Sequence, residues 1–248
     1  ACAVTLWLDV DFVSTESGIR TYGYFFPKEN LVGKMIERIK AYGMSEPKIG
    51  FERYFVDYAV YDGLRQAFPE HLFTGAGELF YRIRAVKEAG EIELMRQAGM
   101  VACAGMAAAI KAVQPGVAEL DILAEAEYAM LKAGSGGSSF RPQVVSGDRA
   151  LLTHPCASSK LIAAGEIVII HLGSTCQGYC AKMCRTVAVG ELPEGRVAVY
   201  ELLLKAQAAA IEMLRPGATA ADVDGAARRI IAEAGWEKNY LEHAGYGV

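Results

Sequence analysis

No stretch of this 248-residue chain holds the ~18 consecutive apolar residues that a membrane-spanning helix requires. The opening residues, ACAVTLWLDVDF, lack the basic cluster of a secretory leader, and Asp9 and Asp11 interrupt them early. No membrane partner is expected. Basic residues are not in excess either. The chain has 25 Lys and Arg against 29 Asp and Glu, for a net charge of −4. The basic residues do not cluster, so the electrostatic footprint of a nucleic-acid binder is missing and no nucleic acid is expected. Cysteine is sparse, with six residues at positions 2, 103, 156, 176, 180 and 184. Disulfide scaffolds are shorter and denser in cysteine. The expectation is free thiols in a reducing, cytoplasmic setting.

What the chain does have is apolar mass. Hydrophobic residues make up 52% of it, which marks a globular chain rather than a disordered one. A chain of this length buries roughly 70–75% of the surface its unfolded form exposes. Neither a disulfide nor a metal is needed to hold it together.

The pattern along the chain predicts two parts. Strands are expected at 3–11, 22–27 and 48–51, with helices at 31–42 and 56–68, where apolar residues recur at helical spacing. This first part, 1–82, reads as a partial α/β domain. From Arg84 to Ala112 the composition shifts to Ala, Met, Glu and Lys, all good helix formers. The second part is taken as 83–248.

An internal repeat lies within it. VQPGVAELDILAEAEYAMLKAG (113–134) matches LRPGATAADVDGAARRIIAEAG (214–235), each a Pro-Gly turn, a helix and a glycine stop. Each copy is preceded by a helical stretch, 91–112 or 196–213. The first copy continues into strand-like segments at 143–146, 166–172 and 179–189, whereas the second reaches Val248 first. The expectation is a duplicated helix–helix–strands unit that this chain does not complete.

Three blocks carry a family resemblance: RIRAVKEAGEIELMRQAG (82–99), SFRPQVVSGDRALLTHP (139–155) and GYCAKMCRTVAVG (178–190). Together they resemble the pita-bread superfamily, peptidase family M24, which holds methionine aminopeptidase, aminopeptidase P, prolidase and creatinase. The resemblance implies an α+β fold: an incomplete pita-bread domain, preceded by a partial N-terminal domain of the creatinase and prolidase kind. It also implies a homodimer.

Metal-dependent members hold two divalent ions with two aspartates, a histidine and two glutamates, because paired metals polarise a carbonyl and generate hydroxide. In this sequence the first aspartate position, in VIIHLG, is His171, and the second, in GYCAKMCRT, is Lys182. The histidine position, in GYGV, is Tyr246, and the glutamates would fall beyond 248. A protonated lysine has no lone pair to give a metal. The expectation is therefore no metal and no other cofactor.

His154, in LLTHP, matches the position where the family keeps a proton-shuttling histidine, one that creatinase uses without metal. Imidazole can take and give a proton near neutrality. Alternation along 179–189 puts residues 180, 182, 184 and 186 on one strand face. In the family reading that face lines the cavity. Lys182 would anchor a substrate carboxylate or stabilise an oxyanion, with His171, Tyr246 and Cys184 also binding substrate. Arg185, on the opposite face, is expected to form a structural ion pair. The spacing of Cys176, Cys180 and Cys184 does not suit a shared metal, because residues four apart on a strand lie ~13 Å apart. The Gly-rich run GSGGSSF (134–140) lacks the lysine of a phosphate loop and reads as a flexible connection.

The function that follows is metal-independent hydrolysis of a C–N bond in a small amino-acid-like substrate, of the creatinase or ectoine-hydrolase type. His154 would be the general acid/base. Two alternatives stand beside it. One is a metal-dependent Xaa-Pro aminopeptidase or dipeptidase. The other is a non-catalytic binding protein, as in pita-bread partners of histones and ribosomes; a cavity filled by side chains beside an exposed apolar patch would favour it.

Overall fold

The computed structural model describes residues 2–6, 20–24, 30–44, 46–152 and 154–240. The chain divides into two compact units, Ala1–Val86 and Lys87–Val248.

The first unit holds two small parallel strand pairs. Strand β1 (Cys2–Leu6) pairs with β2 (Arg20–Tyr24). Strand β3 (Ile49–Phe51) pairs with β4 (Phe73–Gly75). Residues 7–11 and 25–27, where the sequence predicts more strand, lie outside the described residues. Helix α1 (Leu31–Ala41) starts at Asn30, whose side chain accepts from the Gly33 amide. Helix α2 (Tyr58–Ala67) connects β3 to β4 in the manner parallel pairs require. The Tyr61 ring packs against a ring from each strand, 5.1 Å from Phe51 and 5.8 Å from Phe73. Helix α3 (Gly77–Ala85) closes the unit and runs through Arg82.

The second unit is built from two helix pairs and one sheet. Helix α4 (Ala89–Ala112) and helix α5 (Glu119–Lys132) pack against one face of a three-stranded antiparallel sheet, β5 (Gln143–Ser146), β6 (Ile167–Cys176) and β7 (Tyr179–Ala188). A 3₁₀ turn, Gly147–Leu151, follows β5. The sheet presents Val168, Ile170, Leu172 and Ser174 to the helices, all fully buried. They join Val101, Met106, Ile122 and Met130 in one core. Each such aliphatic side chain contributes ~1.5–3 kcal/mol by leaving water. The Ser174 hydroxyl donates to the Ala98 carbonyl at 2.6 Å, so the polar member of that row is satisfied.

The repeat is visible in the backbone. Helix α6 (Glu194–Met213) and helix α7 (Ala220–Glu233) form the second pair, and both bounds of α7 lie 101 residues after those of α5. The turn glycines Gly116 and Gly217 have φ of +87° and +90°, and the stop glycines Gly134 and Gly235 have +94° and +81°. All four take the left-handed conformation that glycine adopts without steric cost. The α4–α5 contact closes at Gly105, where a Cβ would strike Met130. The matching position in α6 is Ala206, buried with Ala210, Ala227 and Ile231 in a smaller core.

Two expectations need correcting. The loop 134–140 is not a loose connection. Gly136 donates to the Thr175 carbonyl, Ser139 to that of Gly173, and Thr175 returns a bond to Gly137. Arg185 donates to the Cys184 carbonyl at 2.7 Å, with no carboxylate partner among the described residues.

Substituting the buried face of the sheet should cost far more than substituting the opposite one. Leu172→Ala is expected to lower the unfolding free energy by ~2–5 kcal/mol, and Cys180→Ala by less than ~0.5 kcal/mol. Urea denaturation followed by circular dichroism measures both. Equal losses would mean that β6 and β7 have been assigned the wrong inward face.

Candidate functional site

The hairpin β6–β7 turns on two residues, Gln177 and Gly178, both at positive φ, of 48° and 84°. That is the geometry whose twist matches a two-residue hairpin. It fixes the register along the whole pair. His171 lies opposite Cys184, Gly173 opposite Lys182, and Ile169 opposite Thr186. On the other side of β6, Gln143 lies opposite His171. With Ile170 and Leu172 buried under the helices, the odd-numbered residues of β6 and the even-numbered residues of β7 share the opposite face. His171, Lys182 and Cys184 are thus on one face of one sheet.

His154 comes from the turn after β5. It is exposed, and its φ of 51° is uncommon for a residue with a side chain. Its Nδ1 lies 3.4 Å from Nε2 of Gln143, so the same strand row that carries His171 also touches His154. Partial burial lowers the pKa of the His171 imidazole, and the charges of Lys182 and then His154 push it the same way. Desolvation also lowers the Lys182 ammonium, partly opposed by Cys184. Cys184 keeps solvent contact, yet the protein around its sulfur holds the thiol above its ordinary range, against the pull of Arg185 and Lys182. The thiol is therefore a poor thiolate nucleophile. Tyr246 lies outside the described residues.

Three participants escaped sequence reasoning. Gln143 reads as an ordinary strand residue until the register sets it beside His171. Phe140 packs its ring 4.5 Å from the His171 ring. It sits over Gly173, where a Cβ would strike the Phe140 ring and the Ser139 hydroxyl. The glycine opposite Lys182 is thus a seat for an aromatic wall, and the lone Gly in VIIHLG is the one sequence signal that pointed there. Next along the same face, Ile169 and Thr186 line a cavity of about 920 Å³ with Val197, Tyr200, Leu203 and Trp236. His154 and Lys182 do not line it.

Comparison with known proteins places this arrangement. Residues 93–248 match the profile of metallopeptidase family M24. A Xaa-Pro dipeptidase of Pyrococcus horikoshii is 31% identical over 223 residues, 90% of this chain and 61% of that protein. The uncharacterized peptidase YqhT of Bacillus subtilis is 28% identical over 88% of this chain and 62% of its own length. Among solved structures, prolidase from Pyrococcus furiosus superposes with a TM-score of 0.85 at 27% identity, covering 96% of this chain and 68% of that one. A Xaa-Pro dipeptidase from Bacillus anthracis gives 0.83 at 28%, covering 95% and 65%. This chain thus spans about three-fifths of the curated relatives' length. The fold is the pita-bread fold, as the three sequence blocks imply.

The family name implies a metal, and the described residues do not fit one. Among the described residues no group of three or more His, Cys, Asp or Glu could hold an ion. That face carries the His171 imidazole and the Cys180 and Cys184 thiols, and between the two cysteines stands Lys182, whose charge repels a cation.

The His171 imidazole should titrate below the ordinary ~6.5 of histidine, as a pH series of its NMR ring resonances would read. The fold prefers the neutral ring, so this contribution to stability is intact above pH ~6.5 and lost as pH falls through the lower folded value. Lys182→Met should raise the midpoint by removing a neighbouring positive charge. An unmoved midpoint would separate Lys182 from His171.

Proposed function

The chain belongs to metallopeptidase family M24, and from that premise we propose that it serves hydrolysis of a C–N bond in a small amino-acid-like substrate, without a metal. The observation that carries this reading is that His171 and Lys182 share one sheet face, while His154, on the turn beside it, lies within hydrogen-bond reach of Gln143, the cross-strand partner of His171.

In this reading a water attacks the carbon of the scissile C–N bond. His154 takes the proton from that water and later delivers it to the departing nitrogen, which leaves as an amine. Lys182 holds the substrate carboxylate or the oxygen that becomes negative during attack. His171, kept neutral by burial, offers one ring nitrogen as a donor and the other as an acceptor. Cys184, a protonated thiol, and Phe140 stand next to His171. Tyr246 would add a hydroxyl. Relatives called Xaa-Pro dipeptidase support a small substrate of the peptide kind.

The proposed setting is the cytoplasm, with a homodimer as the working form. Five cysteines in the described residues are free thiols, which suits a reducing compartment. No helix of the described residues is long and apolar enough to cross a membrane.

A second reading, a non-catalytic binding protein, also has an observation in its favour. Phe140 fills space over Gly173, and Tyr200, Leu203, Leu204 and Leu214 leave an exposed apolar stretch on and after α6. The metal-dependent Xaa-Pro peptidase reading has the names of the relatives behind it and finds no ligand set among the described residues.

One experiment separates the three. The purified chain is analysed for bound manganese, zinc and cobalt, then screened against Xaa-Pro dipeptides and small N-substituted amino acids. Turnover that survives a chelator and falls ~10²–10⁴-fold in His154→Gln is the expected result. Stoichiometric metal that activity requires would defeat the metal-free chemistry. No turnover on any substrate would favour the binder.

A further inference from the structure

The geometry points to Glu119 as the positioning residue for His154, an inference that rests on the catalytic role given to that histidine. Glu119 is the first residue of α5 and is wholly buried. A carboxylate so placed is costly unless its oxygens are filled. Here they receive five donors. One oxygen accepts from the Ser146 amide at 2.8 Å and its hydroxyl at 3.0 Å. The other accepts from Arg149 Nε at 3.1 Å, the Ser158 amide at 3.1 Å and the Ser158 hydroxyl at 2.8 Å. Arg149 reaches on to the Cys156 carbonyl at 2.6 Å.

These partners flank the turn that carries His154. Ser146 ends β5, the strand whose first residue, Gln143, touches the His154 ring. Arg149 precedes the turn, and Cys156 and Ser158 follow it. One carboxylate therefore ties together the strand that contacts the imidazole and both flanks of the backbone that bears it. His154 is exposed and holds a left-handed φ, so few contacts of its own fix it. Its position is inherited from this node.

The repeat argues that the node is not simply part of building a helix pair. The matching first residue of α7 is Ala220, and α7 starts normally there, capped by the Thr219 side chain. Helix pairs of this design form without the glutamate.

The test uses Glu119→Gln, which keeps the shape but loses the charge opposite Arg149 and presents an N–H to one set of donors. Arg149→Met is the milder companion, since it cuts the link to Cys156 and leaves the other four donors in place. Ile122→Ala, a buried α5 residue away from the turn, is the stability control. In Glu119→Gln or Arg149→Met, the His154 ring resonances are expected to shift and the cross-relaxation between His154 and the Gln143 amide to weaken. The kcat on the best substrate should fall about 10–100-fold with KM within about threefold, the signature of a misplaced group rather than a lost binding contact. Ile122→Ala should lower the unfolding midpoint and leave both readouts in place. Unmoved resonances in the folded variants, or equal changes in Ile122→Ala, would overturn the assignment. If the wild-type chain hydrolyses nothing, the hydrolytic reading falls, and the resonances still decide whether Glu119 positions His154. Should Glu119→Gln fail to fold, Arg149→Met carries the decision.

Discussion

The register of β6 against β7 is the constraint on which the site depends. Side chains alternate across a strand, so a slip of one residue would send His171 into the core and Ile170 into the site. Val168, Ile170 and Leu172, fully buried against α4 and α5, make that slip expensive. The two-residue turn at Gln177 and Gly178 fixes the same register from the other end. Hydrophobic burial on one face thus sets which polar groups meet on the other. His171, Cys184 and Lys182 are neighbours because Ile170 and Leu172 are buried. The site's precision comes from the apolar side of the sheet, which has no chemistry of its own.

The repeat shows how much of this depends on a sheet. Both helix pairs close over small residues at matching places, Gly105 and Ala206, Ala109 and Ala210. Their outer faces differ. Ala102 is 1% exposed beneath the first sheet, whereas the matching Leu203 is 46% exposed and lines the 920 Å³ cavity. Small residues suit a helix that a sheet approaches closely. The two pairs share helix-to-helix packing, and only the first has a catalytic-type sheet across it among the described residues.

The sequence made part of this readable. The strand-like segment at 143–146, the alternation along 179–189, the Pro-Gly turns and the glycine stops are local signals, and each corresponds to an observed element. The placement of 180, 182 and 184 on one face followed from alternation alone. Cross-strand partners did not, because pairing is a property of two segments. Gln143 beside His154 and Phe140 seated on Gly173 needed the register and the loop path. Glu119 was hidden for another reason. A buried carboxylate is a rare event that composition argues against, and only the donors gathered from Ser146, Arg149 and Ser158 make it tolerable. Sequence supplies those donors at separations of 27, 30 and 39 residues, which no local pattern connects.

The chemistry of Lys182 decides what else the site must supply. A divalent ion does two things at once: it stabilises developing negative charge and lowers the pKa of a bound water. An ammonium can do only the first. Its attraction for a carboxylate about 4 Å away is ~1 kcal/mol in bulk water and ~4 kcal/mol at the effective dielectric of a protein surface. Lys182 is an exposed residue whose charge is only partly desolvated, so it lies toward the lower figure. That suffices to orient a substrate but not to make hydroxide. In the proposed metal-free reading proton removal must come from a residue, and near neutral pH the group suited to it is an imidazole. His171 faces burial and two positive neighbours that disfavour its protonated form. The proposed role of general base therefore falls to His154, on an exposed turn beside Gln143. Under the proposed metal-free reading, a lysine at that strand position shifts the catalytic demand from the strand to the turn, and the accuracy of the turn becomes the limiting structural feature.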